Sequence, residues 1–584
     1  MLRRPPILSL WLLLFFAFVA GPLLPHALAE ANTPDPATSP DDYGVVVKMS
    51  PFEVVAESLD FRHWIKVSSP HFLLYTDTEA EAATTLVKRM EMMHQAAQFY
   101  LHRKSATLAP LIVVLPTRQT DWDKIANQRE TEFNTRGSTV GSSRKLLLVH
   151  YDWQGQGLGS VWMRLGWHER ESRNLDGPLW FRSGIGLFFL TVGFDHDTLT
   201  LGRQGDEADG VAAHGWMDWP KFFRIDGRSP DDLDGAWVHR QFEAQSALVV
   251  HYCLTNPEPG WTPRLFAWAA YLEAGNAPTE QSFQEFFGVG WKEWQRRLEG
   301  FINGGKYASG TISFPPAALQ FPVEVSQPAG REMRELFVLS QIESQETKES
   351  TASLDALLAR GLKTEALREI LADACGRRGR PDAQLQELRR LIGQRSVNPV
   401  VYFDAAFILN RRQLTGYPPD ARPGIEAGRT NAAIYADAAF LLNPRTLTGY
   451  TPDSRLDGAA GDEIRAWCQQ AVALEPLYLE ANELLAWGEA FAPTVEQRNV
   501  DTIAGLRQVL EGNARTDSVL TALAIAQWRR GNAAEARALA ERVLASVLSR
   551  ESAKHLAKEL LARLDGPTTA TPPAIKTETH RTAK

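Results

Sequence analysis

The chain has 584 residues, 44% of them hydrophobic and 23% charged, with 17 tryptophans. That length exceeds what one hydrophobic core organises, and the composition is globular rather than disordered. The formal net charge is −8 and no basic tract with interleaved aromatics occurs, which argues against a nucleic-acid partner.

In chain order the first element is an export signal. Arg3 and Arg4 give a positive start, Ile7 to Ala20 an apolar run, and Ala27-Leu28-Ala29 a small-x-small cleavage site. Residues 1–29 are therefore expected to be a signal peptide, with no stable membrane span left after cleavage. The mature chain is expected in the periplasm or outside the cell. Its net charge would move from −8 to −10, because two arginines and no acid are lost. Residues 30–60 open Pro-, Thr-, Ser- and Asp-rich and are expected to be a linker.

Ordered patterning begins near residue 61. Ile65 to Thr76 predicts one or two strands. Glu79 to Arg103 carries Leu86, Met90, Met93, Ala97 and Tyr100 at helical spacing. Leu111 to Leu115 and Leu146 to Tyr151 are short apolar runs that predict buried strands. Asp195 to Asp234, rich in Gly, Asp and aromatics, is expected to be an irregular insertion. Helices are expected at Ala236–Leu254, Pro263–Ala274, Glu280–Phe287 and Trp291–Phe301. Together these elements describe an α+β domain over 61–307 with a small sheet.

The stretch Val161 to Leu190 matters most for function. It contains His168-Glu169-Arg170-Glu171-Ser172, and then Pro178-Leu179-Trp180-Phe181-Arg182-Ser183-Gly184. A zinc peptidase helix of the HExxH type places two histidines one turn apart around one ion, with the intervening glutamate as general base. With the W-x-x-V-S-S-P-H-F-x-L-Y-T-D run from Trp64 to Asp77 and the helices that follow, the segment from about Trp64 to Tyr307 resembles the peptidase-MA-like, gluzincin-type domains of exported bacterial proteins. The resemblance implies zincin-like helices. It also implies a ligand set that is degenerate here: His168 and Glu169 remain, Ser172 stands at the second histidine position, and Ser183 at the downstream glutamate position. None of the 13 histidines has another histidine four residues away, so no displaced HExxH exists.

Other candidate groups are weaker. Asp195-His196-Asp197 reads as a solvated turn and His214 as a loop residue; His239 and His251 lie too far apart on one helix to share an ion. Glu169 and Glu171, two apart, do not share a helix face and are expected to be exposed charges. A nucleophilic role for Ser183 lacks a visible His-Asp partnership. The three cysteines, Cys253, Cys375 and Cys468, are far apart and expected to be buried free thiols.

Residues 308–332 are expected to be a second linker. From 333 to 565 the composition turns to Ala, Leu, Arg and Glu with helical periodicity. Gly361 with Ala366 and Gly531 with Ala536 resemble the tight turns of tetratricopeptide units, which implies an all-α helical repeat domain. Inside it, a segment starting at Tyr402 recurs at Tyr435, 33 residues later, a duplication that repeats an LTGYxPDxR loop. Residues 566–584 are expected to be a disordered tail. The fold expected is thus α+β, followed by the helical repeats.

The function expected is an exported protein-interaction scaffold with a catalytically degenerate zinc-peptidase-like domain. A protein or peptide partner would dock on the repeats. One alternative is an active zinc-dependent hydrolase with a non-standard site, in which case zinc would be its cofactor; otherwise no cofactor is expected. A second alternative is a cell-envelope polysaccharide binder using the aromatic insertion. Tyr417 and Tyr450 in the repeated loops, and Trp216 and Trp219 in the insertion, are the candidate binding residues.

Overall fold

The structure is a computed structural model. It describes residues 60–102, 109–118, 121–122, 146–148, 158–303, 309–415 and 451–566, apart from 174, 176, 204–209, 212, 214, 226–232, 234, 257, 259, 345–347, 454–457, 506–513, 547, 548 and 550. The expected signal peptide, the first linker up to residue 59, His214, Tyr417, Tyr450 and the tail beyond 566 lie outside the described residues.

A five-stranded mixed sheet positions everything else. Its strands are β1 (Ile65–Ser68), β2 (Phe72–Thr76), β3 (Leu111–Leu115), β4 (Leu146–Leu148) and β8 (Glu324–Ser326), in the order β4-β3-β2-β1-β8. β2, β3 and β4 run parallel, with Leu74 opposite Val113 and Val113 opposite Leu147. β1 is antiparallel to both β2 and β8. The 22-residue helix α1 (Ala80–Leu101) makes the crossover from β2 to β3.

The unbroken apolar run Leu111–Leu115 follows from burial on both faces. Phe72, Leu74, Leu111, Val113, Leu115 and Leu147 belong to one core, with α1, α2 (Gly159–Ser172), α3 (Leu179–Leu190) and α5 (Ala236–Thr255). The alternate residues Tyr75, Ile112, Val114 and Leu146 belong to a second core, with α9 (Gly330–Ser344), α10 (Lys348–Arg360) and α11 (Glu365–Arg377). There Trp64 meets Phe337 edge-on at 5.2 Å. Each large apolar side chain buried this way contributes roughly 1.5–3 kcal/mol.

The insertion is more regular than expected. It contains a hairpin of β5 (Gly193–Asp195) and β6 (Thr198–Leu201) and the short helix α4 (Trp219–Arg224). β7 (Gly310–Ser313) adds to β6 to make a second sheet, β5-β6-β7. Residues 308–332, expected to be a linker, therefore supply a strand to each sheet. Helices α6 (Trp261–Glu273), α7 (Glu280–Phe287) and α8 (Trp291–Asn303) close an aromatic core around Trp268 and Trp294. α7 starts on a capping box in which Thr279 and Ser282 satisfy each other's backbone N–H.

The array continues with α12 (Pro381–Gly393), α13 (Pro399–Thr415), α14 (Gly458–Leu474), α15 (Leu479–Phe491), α16 (Gln497–Gly505), α17 (Ala514–Arg529), α18 (Ala533–Ala545) and α19 (Glu551–Asp565). These share a third core running from Ala372 and Leu385 to Leu560. α17 turns into α18 through Gly531, whose φ of 84° suits a residue without Cβ. The cysteines are buried and free, as expected. Among the described residues no helix is long and apolar enough to cross a membrane.

Candidate functional site

Helix α2 carries Glu169, and Arg173 follows just past its C-terminal end, four residues on, so both point to one side. That side faces α1, where Glu91 and His94 are likewise close to one turn apart. The β1–β2 turn, Ser69-Pro70-His71, closes over the same place, held by Ser69 N–H donating to the Phe72 carbonyl at 2.9 Å.

Glu169 corrects the sequence reading. It is not an exposed charge but 1% exposed, inside the protein. Its Oε1 lies 2.9 Å from His94 Nδ1, and Arg173 Nη1 pairs with its Oε2. Arg173, fully buried, also donates from Nη2 to the His94 carbonyl at 2.9 Å. Burial alone would raise the Glu169 carboxyl. The charges of His94 and Arg173, the His94 hydrogen bond and the charge of His168 outweigh it, and hold the group well below the usual carboxylate range. A carboxylate only accepts, so His94 Nδ1 carries the bridging hydrogen.

A second dyad lies against the first. Glu91, 3% exposed, accepts from Ser69 Oγ at 2.7 Å, from His71 N–H at 3.0 Å and from His71 Nδ1 at 2.8 Å. Burial opposes ionisation of Glu91, but these hydrogen bonds and the His71 charge lower its pKa. The His71 ring stacks on His94 with centroids 3.9 Å apart and planes 22° apart. Sequence reasoning missed this constellation. The available signal was Glu91 next to the apolar stripe Val87-Met90-Ala97, since a charge buried there requires partners.

The other positions singled out in the sequence lie on α2 and α3. Ser172 Oγ bonds back to the Glu169 carbonyl at 3.1 Å, and Ser183 is a half-buried neutral hydroxyl on α3. His168 is half-buried and is the sole imidazole at these positions, where zinc takes three protein ligands. Nor do the stacked rings substitute. Each imidazole lone pair lies in its own ring plane, and two nearly parallel planes do not converge on one ion at about 2.1 Å. Among the described residues no three His, Cys, Asp or Glu side chains are grouped to hold a metal ion.

The remaining candidates stay apart. Asp195, His196 and Asp197 form the exposed end of the β5–β6 hairpin. His239 pairs with Glu243 at 3.1 Å, and His251 is buried between Phe188 and Phe301. Trp219 is 5% exposed, stacked on Trp291 at 6.2 Å, with half-buried Trp216 beside it at 5.6 Å. Trp219 is thus part of the core rather than an open stacking surface.

On α12, Asp382, Leu385, Gln386, Arg389 and Arg390 line a shallow, open depression of about 410 Å³ in which Leu385 is buried, Arg389 pairs with Glu463 at 3.0 Å and Arg390 pairs with Glu387. No family model, curated protein or solved structure matches the chain.

Proposed function

We propose that this chain is an exported protein-interaction scaffold in which a degenerate zinc-peptidase-like domain is a structural platform and tetratricopeptide-like helices receive a protein or peptide partner. The observation that supports it best is the placement of Glu169. A general base must reach a metal-bound water or a substrate proton. Here both carboxylate oxygens are held by His94 and Arg173 in the interior. With serines at two ligand positions, α2 and α3 act as packing elements.

The test is a cleavage screen of unstructured polypeptides, with and without chelator, using wild type and Glu169→Gln. No cleavage by either protein is expected. Chelator-sensitive cleavage by wild type that Glu169→Gln abolishes would make the chain a metallohydrolase instead.

A further inference from the structure

We propose that the His71–His94 pair is a proton-operated brace: with one proton on His71 it fastens the β1–β2 turn to α1 and α2, and when that proton leaves, the turn slackens. This regulation is independent of whether the helical array docks a partner.

The groups facing His71 are Glu91 and His94 from α1, Glu169 from α2 and Arg173 just past the end of α2, with His168 of α2 acting on Glu169 from the same side. Its own turn contributes Ser69, whose hydroxyl bonds Glu91. Leaving the imidazoles aside, two carboxylates and one guanidinium leave one negative charge unbalanced. These groups are only 3%, 1% and 0% exposed. A buried unbalanced charge is costly, and a proton on an imidazole beside the carboxylates offsets it.

His71 is the ring that exchanges that proton with solvent, since its side chain is 39% exposed against 13% for His94. Burial disfavours its charged form, but the hydrogen bond and charge of Glu91, with Glu169 adding, raise its pKa above the ordinary 6.5. The direction of the pH effect follows. A raised folded-state value means the His71 contribution is complete below the ordinary value and is lost as pH climbs through the folded one. The Glu91 value is lowered, so its contribution persists until the medium becomes more acidic than ordinary carboxylates need. The brace is tightest in the mildly acidic window between these limits. Neutral His71 still donates Nδ1–H to Glu91, so the turn loosens rather than unfolds.

The experiment is amide hydrogen exchange on the full-length protein at closely spaced steps from about pH 5.5 to about pH 8.5, each corrected for intrinsic rates. The segment 68–76 and the facing parts of α1 and α2 are read. Wild type is expected to lose protection there as pH rises, with a midpoint above 6.5. His71→Asn keeps a neutral donor toward Glu91 but carries no proton, and is expected to show a flat profile. His71→Gln serves in its place if that variant does not fold. A flat wild-type profile, a midpoint at or below the ordinary histidine value, or an unchanged pH response in the variant would each overturn the brace.

Discussion

Glu169 has the residue type of a zincin base and the surroundings of a structural ion. Replacing it by Gln removes the charge that His94 and Arg173 share, while keeping its size. Breaking a buried ion pair from one side costs about 3–5 kcal/mol, so Glu169→Gln is expected to lower stability by that order in chemical denaturation. Ser172→Ala, which removes a hydroxyl that donates to the Glu169 carbonyl at 3.1 Å and accepts from Arg173 Nη1 at a long 3.4 Å, is expected to lose about 1 kcal/mol. Glu91 and Glu169 both have lowered pKa values, so stability is present above the ordinary carboxylate range and falls as acid protonates them. The residue types at His168 and Ser172 on α2 and at Ser183 on α3 were legible directly. The burial of Glu169 was not, because its partner His94 lies 75 residues earlier and no local pattern joins the two.

Helices α3 and α5 cross at Gly184. A Cβ there would sit 2.5 Å from the Ser246 carbonyl oxygen and from Val250 Cγ2, and the backbone atom cannot rotate away. Gly184→Ala is therefore expected to destabilise by about 1–3 kcal/mol through overpacking. At Gly300, inside α8, an added methyl group would meet nothing within 4 Å. Gly300→Ala is expected to stabilise by up to about 1 kcal/mol from helix propensity. Thermal or denaturant unfolding of the two variants should move in opposite directions. The element pattern was largely readable: α1, α5, α7, α8 and the inner strands coincide with the periodicities of their segments. β7 and β8 were not, since Gly310–Ser313 and Glu324–Ser326 are short edge strands with no apolar run. Their identity depends on pairing with β6 and β1.

The sheet is covered on its second face by α9, α10 and α11, which the composition assigned to a separate helical domain. The unbroken apolar run Leu111–Leu115 indicated two buried faces without naming what covers the second one. Any amphipathic helix satisfies that demand, so the sequence alone could not choose. A chain ending at Tyr307 would lose β7 and β8 and expose Tyr75, Ile112 and Val114. It is expected to be aggregated or without a cooperative transition, whereas a chain carried through Arg377 should retain that face; size-exclusion chromatography and calorimetry distinguish them. The described residues thus form a buried sheet joined to a helical array, with α2 and α3 serving as part of the core. The most direct measurement is elemental analysis of the purified protein after loading with zinc and removal of the excess. A platform without a zinc cage should retain well under one zinc per chain, and one equivalent retained through chelator-free dialysis would contradict it.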